Sequence, residues 1–575
     1  MTGQMADRWR LAATGGSGGA LVWAVLEAME AGLLPERAGL VLVALVLVWF
    51  GAVLAMAGPI GLLRSMIRGL ALGAVVALLV WLASLRFAEP TDFFLEPMLT
   101  LATLAVATLP VPFLIGQARG DWRDYGALFL DAWSIAVRFA AAWAFAGLVW
   151  VVVFLSDQVL QIVGIGVIGA LLAHWIVPMV ITGAVLGLGM AVLFELADLL
   201  SPHLILRLVR LLLPVVLAVA SVFLLALPFQ GLSGLFGALS PALLLLTLVA
   251  VGGALVAIAV DQNDAAAVRS PVLLRSAQGL ALVLPILAAL AVWALWLRVA
   301  QYGWTPERLF VAVAAGLGLA YGMTYAVAVL RGSGWMRRIR QGNIALALAA
   351  IALAALWLSP VLNAERIAAA DQLARFEAGH TAVADLDIAA LQRWGQPGAA
   401  ALARLEARAT APGQEALAAR LAGTAAADGL AAPAVVTALM AAMPVQPATA
   451  TGMRDTLLAS GWDFQLRDWA AACGRTGAGG APGCLMVVAD LLPTLPGEEA
   501  VLILEHAPDH AEVLGLYLGP DGSLLTRPAL QADGTNLSSD AVAALLRAWR
   551  EAPPPLTPAL LNQLGTGPSG LLILP

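Results

Sequence analysis

The sequence predicts an α-helical integral membrane protein with a soluble C-terminal region, on three observations. The 575-residue chain is 61% hydrophobic and only 12% charged, against roughly 45–50% and 25% in soluble domains, and its mean hydropathy is +0.89. Its apolar residues gather into runs of about 20, the length a helix needs to cross a hydrocarbon core about 30 Å thick. After Ser359-Pro360 the runs stop, and the stretch from Asn363 to Glu377 reads as a charged amphipathic helix.

Eleven candidate spans follow in order, at about 11–30, 39–59, 69–85, 98–116, 139–155, 176–195, 209–229, 240–260, 277–297, 308–330 and 343–360. The first is the least apolar, because Gly15-Gly16-Ser17-Gly18-Gly19 lies inside it and Glu27 and Glu30 near its end. No Lys and no strand–turn–helix context follow these glycines, so they read as a close helix contact rather than a phosphate cradle. Met1 to Arg10 has no separate apolar core with a small-residue cleavage site, so the first span is expected to be retained. Asp121 to Arg138 places Tyr125, Phe129, Ala132 and Ile135 at helical spacing opposite Asp124 and Asp131, which predicts a separate helix in the inner interface. Gln158 to Leu172 is apolar enough to be a re-entrant segment or a short span, and the re-entrant reading is expected because a span there would invert the downstream arginine bias. Pro110, Pro112, Pro178, Pro214 and Pro285 read as kinks, since the nearest charges, Glu195, Asp198, Asp261 and Arg298, are expected at water-exposed span ends.

Arginines set the orientation, because positively charged loops stay cytoplasmic. With the N-terminus inside, fifteen of the nineteen arginines before Val361 fall in inner segments, four of them (Arg331, Arg337, Arg338 and Arg340) in one loop. Arg37, Arg86, Arg298 and Arg308 fall outside. An odd number of spans then places the C-terminal region outside the cytoplasm.

The expected domains are a transmembrane part over 1–360, a helical soluble segment over 361–455 and a small α+β domain over 456–575. Strands are expected at Leu485 to Val488, Ala500 to Leu504, Glu512 to Leu518 and Leu524 to Arg527, with a final short one at Leu571 to Leu574 and a hairpin turn at Gly519-Pro520-Asp521-Gly522. Ser538 or Ser539 caps a helix through Trp549. The two cysteines, Cys473 and Cys484, bracket a glycine-rich loop in the region placed outside, which predicts a disulfide.

Composition excludes several chemistries. All 31 basic residues are arginine, which removes P-loop and lysine Schiff-base mechanisms. The part from Val361 carries a net charge of −9 and the preceding part +3, so nucleic acid is not an expected partner of the tail. Asp490, Glu498 and Glu499 lack calcium-loop spacing, and Pro508 keeps His506 and His510 off one helix face. These residues predict no metal, cofactor or catalytic constellation.

Tyr302-Gly303-x-Thr305-x-x-Arg308 after one span, Trp335 with Ile339-Arg340-x-x-Asn343 before the next, and Ser359-Pro360-x-x-Asn363 at the exit resemble the bacterial membrane proteins called the domain-of-unknown-function 4153 family. The resemblance covers roughly Leu11 to Leu405 and implies a multi-pass inner-membrane protein, with no catalytic residues to carry over. The functional expectation is a non-enzymatic envelope anchor, scaffold or sensor whose C-terminal domain binds an envelope protein or cell-wall component. A permease or channel for a small solute, and an enzyme acting on a lipid-linked substrate, are the alternatives.

Overall fold

The computed structural model describes the chain apart from residues 1, 91, 196–201, 235–240, 419, 422–431, 462, 476–481, 493–496, 508–509, 520–522, 530–536, 553, 557–562, 565–570 and 573–575. Two compact units result, Met1–Ala374 with Arg393–Ala399, and Arg375–Gln392 with Ala400–Pro575.

The first unit is helical. After α1 (Thr2–Glu30) come α2 (Glu36–Ile60), α3 (Leu62–Ser84), α4 (Asp92–Leu95), α5 (Pro97–Thr108), α6 (Val111–Arg119), α7 (Tyr125–Ile162), α8 (Val167–Leu172) and α9 (Ile176–Glu195). The series continues with α10 (Pro202–Val209), α11 (Leu213–Gly234), α12 (Pro241–Val260), α13 (Pro271–Tyr302), α14 (Pro306–Leu330), α15 (Trp335–Leu358) and α16 (Ala364–Glu377). Among the described residues, ten helices are long and apolar enough to cross a bilayer, with α5–α6 and α10–α11 each acting as one.

The sequence count was eleven; α1 makes the difference. It is a continuous 29-residue helix, but its glycines and polar ends leave it short of the required apolarity. Those glycines lie against α9. A Cβ on Gly15 would stand 2.0 Å from the Gly183 carbonyl oxygen, and one on Gly19 would stand 2.1 Å from that of Met179. From the other side, a Cβ on Gly187 would stand 2.1 Å from the Leu11 oxygen. The two backbones touch because nothing larger than hydrogen occupies these positions, the small-residue contact typical of membrane helices. Arg8 and Glu195 pair at one end of this contact.

Two further expectations change. The interface helix and the span after it are one helix, α7, 38 residues long, or about 57 Å at 1.5 Å per residue. Asp124 caps its start, accepting from the Gly126 amide at 2.9 Å. Pro178 lies in the first turn of α9, where a missing N–H costs nothing, so it starts a helix instead of kinking one, whereas Pro214 follows the 3-10 turn Arg210–Leu212 inside the span Ile205–Leu227, a break in α geometry of the kind a proline causes. Pro285 does sit inside α13, and α14 presses on that spot: a Cβ on Gly322 would come within 2.7 Å of the proline nitrogen. Residues 158–172 form the end of α7 and the six-residue α8, too short to cross.

Two apolar cores hold the bundle. One, around Leu280, Leu284, Leu287 and Tyr325, joins α11 to α15. The other, around Met56, Val76, Leu99 and Ile115, joins α2, α3, α5 and α6 and takes in Trp357 and Leu358 from the end of α15.

The second unit contains α17 (Ile388–Arg393), most of α18 (Gly395–Ala409), α19 (Ala432–Ala442), α20 (Thr451–Ala459), α21 (Asp463–Cys473) and α22 (Ser539–Glu551). A five-stranded sheet in the order β1-β2-β3-β4-β5 combines Val445–Gln446, Cys484–Ala489, Glu499–Ala507, His510–Leu518 and Leu524–Pro528. β1 pairs parallel to β2 and the others antiparallel. Alternation along the strands builds two cores, as the two-residue period requires. Met486, Val488, Leu502 and Leu504 face α19, α20 and α21, while Leu485, Val487 and Ile503 face Val542 and Leu546 of α22. Ser538 caps α22 by accepting from the Ala541 amide at 3.3 Å. Residues 520–522 of the expected turn lie outside the described residues, but Leu518 pairs with Leu524 across it. A short ladder, β6 (Gln563–Leu564) with β7 (Leu571–Leu572), follows.

Candidate functional site

Between the two apolar cores of the first unit lies a cavity of about 1270 Å³ bounded by α2, α5, α6, α7, α12, α14 and α15. The first four turns of α7 form one wall, so the residues expected to lie in the inner interface, Tyr125, Phe129, Ala132 and Ile135, line the cavity instead. Among the described residues no charged side chain lines it; the polar groups are Thr108, Thr247, Tyr125, Tyr321, Tyr325 and Asn343. Its mainly apolar lining disfavours water.

The aromatic end of the cavity is hydrogen-bonded. The Tyr325 hydroxyl donates to Asn343 Oδ1 at 2.7 Å, and Asn343 Nδ2 donates to the Tyr125 hydroxyl at 3.2 Å. Asn343 thus ties α14, α15 and α7 together. One turn back along α15, Arg340 closes the C-terminal end of α12. It donates to the carbonyls of Val260 (2.8 Å) and Asp261 (3.1 Å) and pairs with Asp264 at 2.7 Å. Arg210 completes the cap, donating to the Ile258 carbonyl at 3.0 Å and pairing with Asp261. Cations here satisfy orphan carbonyls and oppose the helix dipole. Asp261 was expected in water; it is 1% exposed, enclosed by these arginines. Hydropathy marks a span end but not how much protein covers it.

Other motif residues build the opposite end. Thr305 caps α14, its Oγ1 accepting from the Arg308 amide at 3.3 Å, and Arg308 donates to the Gly303 carbonyl at 2.7 Å. Gly303 takes φ 76°, a left-handed conformation that glycine enters without strain. Arg298 and Arg308 both lie over the Tyr302 ring, at 5.8 and 5.6 Å. Asn363 accepts from the Arg366 amide at 2.8 Å, capping α16, which returns Asp371 to the Trp304 amide (2.7 Å) and Gln372 to the Tyr302 carbonyl (2.9 Å). Trp335 is buried at the start of α15. Arg331, Arg337 and Arg338 remain exposed or half-exposed around it. These residues are therefore caps and clamps.

At this end Arg86 and Glu365 form an ion pair at 2.9 Å whose side chains are 3% and 2% exposed. Arg86 also donates to the carbonyls of Trp357 (2.5 Å) and Ser359 (2.9 Å). Nearby, burial together with Glu307 and Glu365 raises the Glu96 carboxyl to about 7, Arg393 opposing the rise. Nothing in the spacing of Arg86 and Glu365, 279 positions apart, pointed to this pair.

In the second unit, Cys473 and Cys484 are joined as a disulfide with Cα atoms 4.8 Å apart. Glu499 is buried and accepts from the Leu491 and Leu492 amides at 2.8 and 2.9 Å, pinning the loop before β3. His506 and His510 flank the tip of the β3–β4 hairpin, and His506 lies 3.8 Å from Asp468 and 3.7 Å from Glu512. Among the described residues no group of three or more His, Cys, Asp or Glu is placed to hold a metal ion. Comparison of the chain with protein-family models, curated proteins and solved structures finds no match.

Proposed function

We propose that the helical unit is a non-enzymatic anchor that holds the C-terminal unit on the outer face of a bacterial inner membrane, where that unit binds an envelope protein or cell-wall component. The observation that carries this reading is the disulfide between Cys473 and Cys484, a bond that persists in oxidising compartments and is rare in the cytosol. The arginine asymmetry of the loops supports the same orientation, with α1 counted as a crossing.

The cavity motivates a second reading, a permease. A pathway for a polar solute uses charged or coordinating groups at depth, and among the described residues the cavity lining carries none that are charged, which favours the anchor. Fusion reporters test the orientation: alkaline phosphatase joined after Pro575 is active and joined after Arg338 inactive, and the reverse pattern sinks the proposal. Proteoliposomes test the activity: chain-dependent flux of small solutes would replace the anchor with the permease.

A further inference from the structure

We propose that the bundle cavity houses one acyl chain of a phospholipid, with the Tyr125 hydroxyl donating to that lipid's ester carbonyl. The cavity lies among helices that cross the bilayer by length and composition, so hydrocarbon is the fluid that reaches it. Its long dimension follows α12 from Leu243 to Ala257 and α14 from Phe310 to Tyr325, about 21 Å at 1.5 Å per residue. That exceeds the roughly 15 Å of one leaflet's hydrocarbon, so a single extended chain fits lengthwise. Gly51 and Gly253 line the cavity, and a Cβ at either would meet nothing within 4 Å; they keep its bore open.

The polar groups sort the chemistry of the head. Tyr125 accepts from Asn343 and so keeps its own hydrogen to donate, which suits a neutral carbonyl. A chain bonded directly to phosphate would place that anion where the ester carbonyl would sit and would require a cation facing the cavity, whereas in a phospholipid the phosphate stands beyond the glycerol ester. Beyond Asn343, however, Arg340 is committed to Asp264 and two carbonyls, and Arg210 to Asp261 and the carbonyl of Ile258. An ester-linked chain therefore matches this end, and a polyprenyl phosphate does not.

The test uses the full chain in vesicles of phosphatidylethanolamine and phosphatidylglycerol, doped with a phospholipid carrying a diazirine midway along one acyl chain. After irradiation, adducts are located by peptide mass spectrometry. Adducts are expected on cavity residues such as Phe129, Leu246 and Leu317, as well as on the exposed outer residues Phe154 and Leu155. Gly51→Phe and Gly253→Phe, which replace helix glycines and so do not lower helix propensity, should lose the cavity adducts and keep the outer ones. Tyr125→Phe should spread the Phe129 adduct over neighbouring lining positions. Adducts confined to the outer surface would overturn the proposal, as would cavity labelling that survives both glycine variants. A parallel arm with a diazirine-bearing polyprenyl phosphate separates the sources: labelling by it alone would also overturn the assignment. A Tyr125→Phe pattern identical to the parent would remove the hydroxyl from it.

Discussion

Replacing Arg86 with Met tests the buried pair most directly. The change leaves Glu365, 2% exposed on its side chain, charged and without its cation, and withdraws a charged donor from the carbonyls of Trp357 and Ser359. Breaking a buried pair from one side costs about 3–5 kcal/mol, so Arg86→Met should lower unfolding stability by about that amount. The double variant Arg86→Met/Glu365→Met removes the stranded charge and restores packing volume, though the two carbonyls stay unserved at about 1–3 kcal/mol. It should therefore be more stable than Arg86→Met alone, with a coupling of about 2–4 kcal/mol between the two sites. The assay is reversible unfolding in mixed micelles, read as a double-mutant cycle. A single-variant loss under about 1 kcal/mol, or additive effects within about 0.5 kcal/mol, would refute the idea that this pair is dry and coupled.

Gly183→Val should detach α1 from α9, because a Cβ there would lie 2.1 Å from the Gly15 oxygen, whereas Gly16→Ala, whose nearest neighbour is 3.5 Å away, should be tolerated; disulfide trapping between cysteines placed on the two helices reads the contact. Cys484→Ala should cost the second unit on the order of 2–3 kcal/mol by releasing a short closed loop and should make Cys473 alkylatable without reductant. For Glu96 the sign runs against the usual carboxylate. Its pKa rises from 4.5 to about 7 on folding, so stability is complete below pH 4.5 and falls as the pH climbs to 7. Glu96→Gln should match the parent at pH 4 and exceed it at pH 8 by about 1 kcal/mol, the shift being discounted because the group is only half-buried; equal thermal midpoints at pH 8 would remove Glu96 from the balance.

Helix positions were legible because apolar run length is a property of the chain itself: ten of the candidate spans coincide with long apolar helices. Strand positions in the second unit were legible from two-residue alternation, with β1 and β6 missed because Val445–Gln446 and Gln563–Leu564 are only two residues long each. The cavity was not legible. Tyr125, Phe129 and Ile135 make an apolar stripe, and a stripe facing lipid headgroups has the same spacing as one facing a void between helices. The cap formed by Arg210, Arg340 and Asp261 was equally hidden, since its members meet from three separate helix ends. The motif residues Gly303, Thr305, Arg308, Arg340, Asn343 and Asn363 were visible in sequence, and they emerge as helix caps, a glycine turn and an amide bridge. A pattern can recur because a bundle must be closed as well as because a reaction must be catalysed.

The glycine contact between α1 and α9 also bears on how the chain is made. From Glu30 to Glu195 the ribosome adds 165 residues, which takes about 8–33 s at roughly 5–20 residues per second. For that interval the least apolar helix of the bundle waits without the partner whose backbone it is shaped to touch. Through that interval its glycines have neither Gly183 nor Gly187 to pack against, so the closest backbone contact of α1 is made only after α9 has been synthesised.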